Sequence, residues 1–464
     1  MGAGAALGSV APLRRSFADS EIKEHHLTAK PAVVSLTGNG YPDTAAWAYD
    51  GTVPGPELRV RQGERVSVVV SNKLGEDTTV HWHGIRLPNA MDGVPGLTQP
   101  PIRPGENFAY EFTPPDAGTF WYHPHADTLQ QLGRGLAGAL IVEEREAVAV
   151  DRDLLWFIED WRLDDDGRIA PGFGNRMEAG MSGRIGNTVT INGRVPDRVS
   201  VKVGERVRLR IVNAALARIV SVRFEGHKPI VIAYDGQPCD PHTPEGDRVV
   251  LGPAMRADLI LDMNGRSGRT YRVIDDFYRN LAYKLVDLAY GPGKPTREHP
   301  PEASPRLPAN PLPEPDLAAA ERHDIALQGG MMGGMGMMGG GGMMGGMGMS
   351  MRGATWSMNG VSMTGDGQSN MPSLMTLRKG QSCVLVLRNE TAWWHPMHLH
   401  GHSFRVISRG GKPNPIREWR DTVLVPPREA VEIAFVADNP GDWMFHCHVT
   451  DHQETGMMAT VRIS

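Results

Sequence analysis

The stretch "LRVRQGERVSVVVSN" at residues 58–72 decides the fold. Apolar and polar residues alternate up to Gly63, the alternation resumes beyond it, and the run ends on Asn72. Two more stretches have the same shape: "VSVKVGERVRLRIVNA" (199–214) and "MTLRKGQSCVLVLRNE" (375–390). Each reads as a strand, a glycine turn and a second strand ending in Asn. Recurrence on the scale of a domain is internal repetition, so the sequence predicts three similar β units.

The wider composition agrees with an all-β chain. Val, Thr and Ile recur in short runs such as "RVSVVV", and Gly and Pro are abundant. At 464 residues the chain exceeds what one hydrophobic core usually serves. Lys and Arg number 48 against 53 Asp and Glu, a net charge of −5, which gives no basic surface for nucleic acid or anionic membrane. No stretch is apolar for long enough to span a bilayer. Cys239, Cys383 and Cys447 are too few and scattered for a disulfide framework. Cys239 and Cys383 are read as buried thiols, with a disulfide as the alternative.

The N-terminal "MGAGAALGSVAPLRRSFA" carries a small-residue run like the end of an export signal, with Arg14 and Arg15 after it. The expectation is a periplasmic or secreted protein, with the twin-arginine route as one means of export and a flexible tail as the alternative reading of the stretch. Predicted boundaries are a tail at 1–21, a first unit at 22–150, a second at 151–292 and a Pro-rich connector at 293–328. A Met/Gly-rich segment at 329–351 and a third unit at 352–464 follow.

A second correspondence joins the outer repeats. "DAGTFWYHPH" (116–125) and "NPGDWMFHCH" (439–448) each place a histidine five residues after a glycine. The middle repeat has "SGRTYRV" (267–273), with Val273 where a histidine would stand. His227 and His242, in that unit, read as surface or turn residues.

Four motifs concentrate the histidines: "HWHG" (81–84), "HPH" (123–125), "HPMHLHGH" (395–402) and "HCHVTDH" (446–452). Each contains His-x-His, and on a strand such a pair shares one face at roughly 6–7 Å. His81, His83, His123, His125, His398, His400, His446 and His448 thus offer eight imidazoles. By the same alternation Cys447 faces away from His446 and His448, and His395 leaves the face of His398 and His400. His395, Cys447, His452 and Met457 make a His₂Cys set with a weak thioether, the blue-copper composition. Structural zinc is the competing metal, but it has no use for two sites joined through one cysteine.

These motifs resemble the three-domain, laccase-like multicopper oxidases, nearest to bacterial cuprous oxidases with a Met-rich segment. The likeness runs through "HWHG", "WYHPH", "HPMHLHGH" and "HCHVTDHQETGM", and over nearly the whole chain. It implies three cupredoxin-like Greek-key β-barrel domains and four copper ions. Type 1 copper would take His395, Cys447, His452 and Met457, and type 2 would take His81 and His398. The type 3 pair would take His83, His123 and His448 on one ion and His125, His400 and His446 on the other. The cluster would lie between domains one and three, with domain two a spacer. Single electrons from a reductant would enter at type 1 copper and reduce dioxygen to water at the cluster.

Asp92, in "NAMDGVPG", matches the family acid that orients water near type 2 copper, and also reads as a turn residue before Gly93. Gln453 departs from the family pattern: bacterial relatives often carry Glu there, and an amide cannot shuttle protons as a carboxylate does. The tract "GGMMGGMGMMGGGGMMGGMGMSM" (329–351), followed by Met358, Met363, Met371 and Met375, offers thioethers suited to Cu(I). The leading expectation is therefore an oxidase of Cu(I) and/or phenols acting in copper tolerance. A general laccase, a copper-storage protein, a copper-free relative and a nitrite reductase are the alternatives.

Overall fold

A computed structural model describes residues 23–38, 40–297, 301, 303–331, 355–363 and 371–464. Among the described residues the chain forms three consecutive two-sheet β units, interrupted only by short helical turns. Sheets of four and four strands make the first unit, six and five the second, seven and five the third. No helix among the described residues is long and apolar enough to cross a membrane. The N-terminal stretch 1–21 lies outside the described residues, as does most of the Met/Gly tract.

The three repeated stretches occupy equivalent places. Gly55–Arg61 and Val66–Asn72 lie in opposite sheets of their unit, as do Arg198–Val201 and Arg206–Asn213, and Ser373–Leu377 and Ser382–Asn389. The glycine turn thus crosses the sandwich instead of closing a hairpin. Gly63, Gly204 and Gly380 make that crossing at φ of 82°, 79° and 83°, a region costly for any side chain. The second strand of each repeat then pairs in parallel with the strand that opens the unit's other sheet: Leu27 beside Val70, Leu154 beside Leu209, Ile325 beside Leu387.

The terminal asparagine has the same work in all three units. Asn72, Asn213 and Asn389 are buried, and their Oδ1 atoms accept the N–H two residues on, from Leu74, Ala215 and Thr391. Their Nδ2 groups donate to carbonyls of nearby loops, including those of Ile102, Leu251 and Val425. One amide thereby satisfies the backbone where the strand leaves the sheet.

Two expected boundaries move. Glu321–Gly329, inside the stretch read as connector, is a strand paired with Ser382–Asn389, so the third unit begins there and the Met/Gly tract falls within it. The Pro-rich segment is also no loose tether. Leu307 is buried, Asn310 Nδ2 donates to Ala117 O (2.9 Å) and Gln237 Oε1 (2.8 Å), and Arg86 donates to Pro311 O. Proline lacks the N–H of a strand and so hides this packing from a periodicity argument.

His227, expected at the surface or in a turn, closes a turn by donating its N–H to Phe224 O (3.2 Å) and is buried, its ring stacked on Tyr290 and edge-on to Tyr271. His242 is half-buried at the end of Gln237–His242. Val273 lies in the core of the middle unit. Met358 and Met375 belong to the main core, and Met363 and Met371 pack with Met444 and Met458, so these four fill space inside the third unit. Cys239 and Cys383 are free thiols, both pushed up to about 12 by burial.

Candidate metal centre

The first and third units share one continuous core, in which Trp82 and Leu87 of one join Leu399 and Trp443 of the other. Four short strands meet across this seam. His81–His83 pairs antiparallel with Gly118–His123, setting His81 opposite His123. His395–Leu399 pairs with Gly441–Cys447, setting His398 opposite His446 and Met397 opposite Cys447. The rings interleave, with His81 stacked on His400 (3.9 Å between centroids) and His83 on His398 (3.8 Å). His123 and His448 lie edge-on at 5.2 Å, as do His125 and His446 at 5.3 Å. All eight expected imidazoles are brought together, and all are buried.

For six of the eight, hydrogen bonds decide which nitrogen the ring offers. The Nδ1–H of His81 donates to Asp92 O, of His123 to Pro124 O, of His398 to Asp421 O and of His446 to Cys447 O, all at 2.8–2.9 Å. His400 donates Nδ1–H to Asp92 Oδ2 (2.8 Å), whereas His83 donates Nε2–H to Asp421 Oδ1 (3.1 Å). Each ring so tied turns a bare lone pair inward. The Nε2 atoms of His81, His123 and His398 and the Nδ1 of His83 have no protein partner, and the Nε2 atoms of His400 and His446 face each other at 3.1 Å. Opposed lone pairs in a buried site repel unless a cation lies between them, so the donor set fits bound metal.

Titration points the same way. Burial first, then neighbouring imidazoles, holds His83, His123, His125, His400, His446 and His448 well below the ordinary histidine range. They are neutral at neutral pH, the form that binds a metal. Burial opposes ionisation of Asp421, but the Arg256 guanidinium outweighs it and holds the carboxyl well below the usual range.

A second group lies on the far face of Gly441–Cys447. Cys447 Sγ is 3.5 Å from His395 Nδ1 and 3.6 Å from His452 Nδ1, and the two nitrogens are 3.2 Å apart. His395 Nε2 bonds Thr391 Oγ1 (2.8 Å) and His452 Nε2 donates to Met181 O (2.8 Å), which leaves both Nδ1 atoms bare. Burial pulls His452 down to about 3 and pushes the Cys447 thiol up. Met457 is buried, and its carbonyl accepts the Cys447 N–H (3.0 Å). Two nitrogens and a sulfur at these separations suit a soft, thiolate-binding metal.

Three family models, each described as multicopper oxidase, match residues 32–147, 153–288 and 347–464. The chain belongs to the multicopper oxidase family. Multicopper oxidase MmcO of Mycobacterium tuberculosis is 30% identical over 93% of this chain and 85% of its own length. A multicopper oxidase structure from Pseudomonas thermotolerans is 36% identical with a TM-score of 0.83, covering 96% of this chain and 100% of that one. A Campylobacter jejuni multicopper oxidase described as a metallo-oxidase is 27% identical with a TM-score of 0.78, covering 98% of this chain and 94% of that one. Family membership makes this protein an oxidase that uses copper.

Sequence reading named the imidazoles of this multicopper oxidase but missed what orients them. Asp421, Thr422 and Arg256 went unremarked, although Asp421 is a lone carboxylate heading the apolar run "TVLV", a signal for a buried acid with a task. Gln453 is buried on the helical turn Thr450–Glu454, and its Nε2 donates to Thr128 Oγ1 at 3.5 Å. Asp92, expected beside one copper site, touches two rings.

Proposed function

We propose that this multicopper oxidase oxidises Cu(I) in copper tolerance, outside the cytoplasm. His395, Cys447, His452 and Met457 are assigned to type 1 copper, and His81 and His398 to type 2. The type 3 pair is assigned His83, His123 and His448 on one ion, and His125, His400 and His446 on the other. When bound, these coppers supply one-electron oxidation of the reductant and four-electron reduction of dioxygen to water.

The observation that carries the Cu(I) reading is where the Met/Gly tract starts. Met331 N–H donates to Gly180 O (2.7 Å), and Trp393 Nε1–H donates to Met331 O (3.1 Å). The next residue along from Gly180 is Met181, whose carbonyl holds His452. The methionine run therefore departs from beside the type 1 histidine, where thioethers capture Cu(I). The metallo-oxidase relative supports the same reading.

The protein's own groups do the positioning. Asp92 fixes His81 through its carbonyl and His400 through its carboxylate, one residue orienting rings from both halves of the cluster. Met181 fixes the edge of His452 that faces the middle unit. Gln453 holds no titratable proton, so proton supply falls to other acids or water.

Phenols are a second class of reductant, favoured by a cavity of about 660 Å³ lined by Tyr41, Tyr278, Tyr283, Ile185 and Gly186. Deletion of residues 332–351 tests the preference. Cu(I) oxidation should fall about tenfold in kcat/KM while oxidation of a methoxyphenol holds or rises. Unchanged Cu(I) kinetics would sink the Cu(I) reading in favour of a general laccase, and copper uptake without dioxygen consumption would favour storage. Cell fractionation checks the export.

A further inference from the structure

The middle unit supplies no imidazole, yet one of its side chains reaches the cluster. Arg256 is fully buried, and its Nη1 and Nη2 donate to Asp421 Oδ1 (2.8 Å) and Oδ2 (2.6 Å). Its Nε donates to Thr119 O (3.1 Å), on the strand of the first unit that ends in His123. One guanidinium therefore touches all three units.

Asp421 is where this grip meets the histidines. The Oδ1 that accepts from Arg256 also accepts from His83 Nε2 and from Thr422 Oγ1 (2.8 Å), and the Asp421 carbonyl accepts from His398 Nδ1. Asp235 braces both partners, its Oδ1 accepting the Arg256 N–H (2.8 Å) and its Oδ2 the Thr422 N–H (3.3 Å). Gly84, directly after His83, has φ of 85°, and a Cβ there would stand 2.3 Å from Arg256 Nη2 and 2.4 Å from Asp421 Oδ2. The His81–His83 backbone is thus packed onto the ion pair itself.

A carboxylate held at both oxygens cannot rotate, so it keeps facing His83 and commits the His83 proton to Nε2. That commitment leaves Nδ1 for the metal. Were Asp421 free to turn, the proton could move to Nδ1 and remove the lone pair. We infer that Arg256 is a positioning residue for the histidine cluster: its two-point clamp on Asp421 fixes the ring nitrogen that His83 presents to copper, and with it the occupancy of the cluster. The ligand-free middle unit thereby sets the chemistry of a site it does not line.

The inference rests on the reading that the eight-histidine cluster holds copper, and the experiment separates the two. Arg256→Lys keeps the buried charge but not the fork, since an ammonium is a point donor. Unaltered and R256K holoproteins are compared for copper-to-protein ratio, blue thiolate absorption, type 2 electron paramagnetic resonance and the rate of copper loss to a chelator. R256K should keep its blue absorption per chain, show an altered type 2 signal and lose cluster copper about tenfold faster. Asp421→Asn should give the same spectral change, and the double variant should be no worse than the worse single one. An R256K protein matching the unaltered one in copper ratio, type 2 signal and chelator rate overturns the positioning role alone. An additive double variant does the same. Absence of cluster copper from the unaltered protein overturns the underlying reading and the inference with it.

Discussion

His446 and Cys447 are neighbours in sequence that serve opposite faces of one strand. The His446 ring meets His400 at 3.1 Å between Nε2 atoms, while Cys447 Sγ lies 3.5 Å from His395 Nδ1. Two sites are therefore joined through a single peptide unit. Cys447→Ser should abolish the blue thiolate absorption and cut oxidase turnover at least about a hundredfold, with cluster copper retained. Spectra and copper analysis of the same preparation check this, and loss of cluster copper would count against the separation of the two sites.

Asp92 gives a prediction that separates turnover from copper content. Asp92→Asn keeps the backbone carbonyl that orients His81 but weakens the bond from His400 Nδ1. Turnover should fall about 10- to 100-fold while copper content stays near that of the unaltered protein. A variant with unchanged turnover would leave Asp92 a turn residue only.

Glu159 is buried on Arg152–Trp161 with one carboxyl oxygen lacking a protein partner, and burial, reinforced by Asp160, pushes it up to about 8 from 4.5. Below the lower value both folded and unfolded chains hold the proton. Between the two values only the unfolded chain releases it, so folded stability falls as pH rises, by about 1.4 kcal/mol per pH unit, and levels off above the upper value. Glu159→Gln removes this slope. Urea midpoints should show E159Q ahead by a few kcal/mol at about pH 8 and nearly equal at about pH 5. Parallel stability curves for the two proteins would reject the assignment.

Each repeat asparagine should matter alike. Asn389→Ala leaves the Thr391 N–H and the Val425 carbonyl without their partner and should cost about 2–4 kcal/mol, with Asn72→Ala and Asn213→Ala in the same range. Thermal unfolding of the three variants measures it. A loss below about 0.5 kcal/mol would mean that water replaces the amide.

What the sequence disclosed was local, and what it hid was long-range. Strand alternation and His-x-His spacing are properties of a few adjacent residues, so "HWHG" and "HCHVTDH" yielded their ligands without any knowledge of packing. The same alternation could not say that the turn at Gly63 crosses between sheets, because a crossing and a hairpin share one pattern. Nor could it pair Arg256 with Asp421, whose contact depends on how the middle unit docks on the third. Met358, Met363, Met371 and Met375 show the converse error: proximity in sequence to the methionine tract suggested a shared role, and burial gives them another. His227 does stand at a turn, but its burial was not legible because its partners, Tyr271 and Tyr290, come from distant strands.

The seam between the outer units also dictates an order of events. A chain made from its N-terminus carries His81, His83, His123 and His125 long before His446, Cys447 and His448 exist, so the groups drawn from both units, such as His125 with His400 and His446, close only once the third unit has docked on the first. Copper can be captured fully only after the last unit has been synthesised, folded and docked. Filling the sites that span the seam is thus a late check on docking of the outer units, passed only by chains in which both have folded.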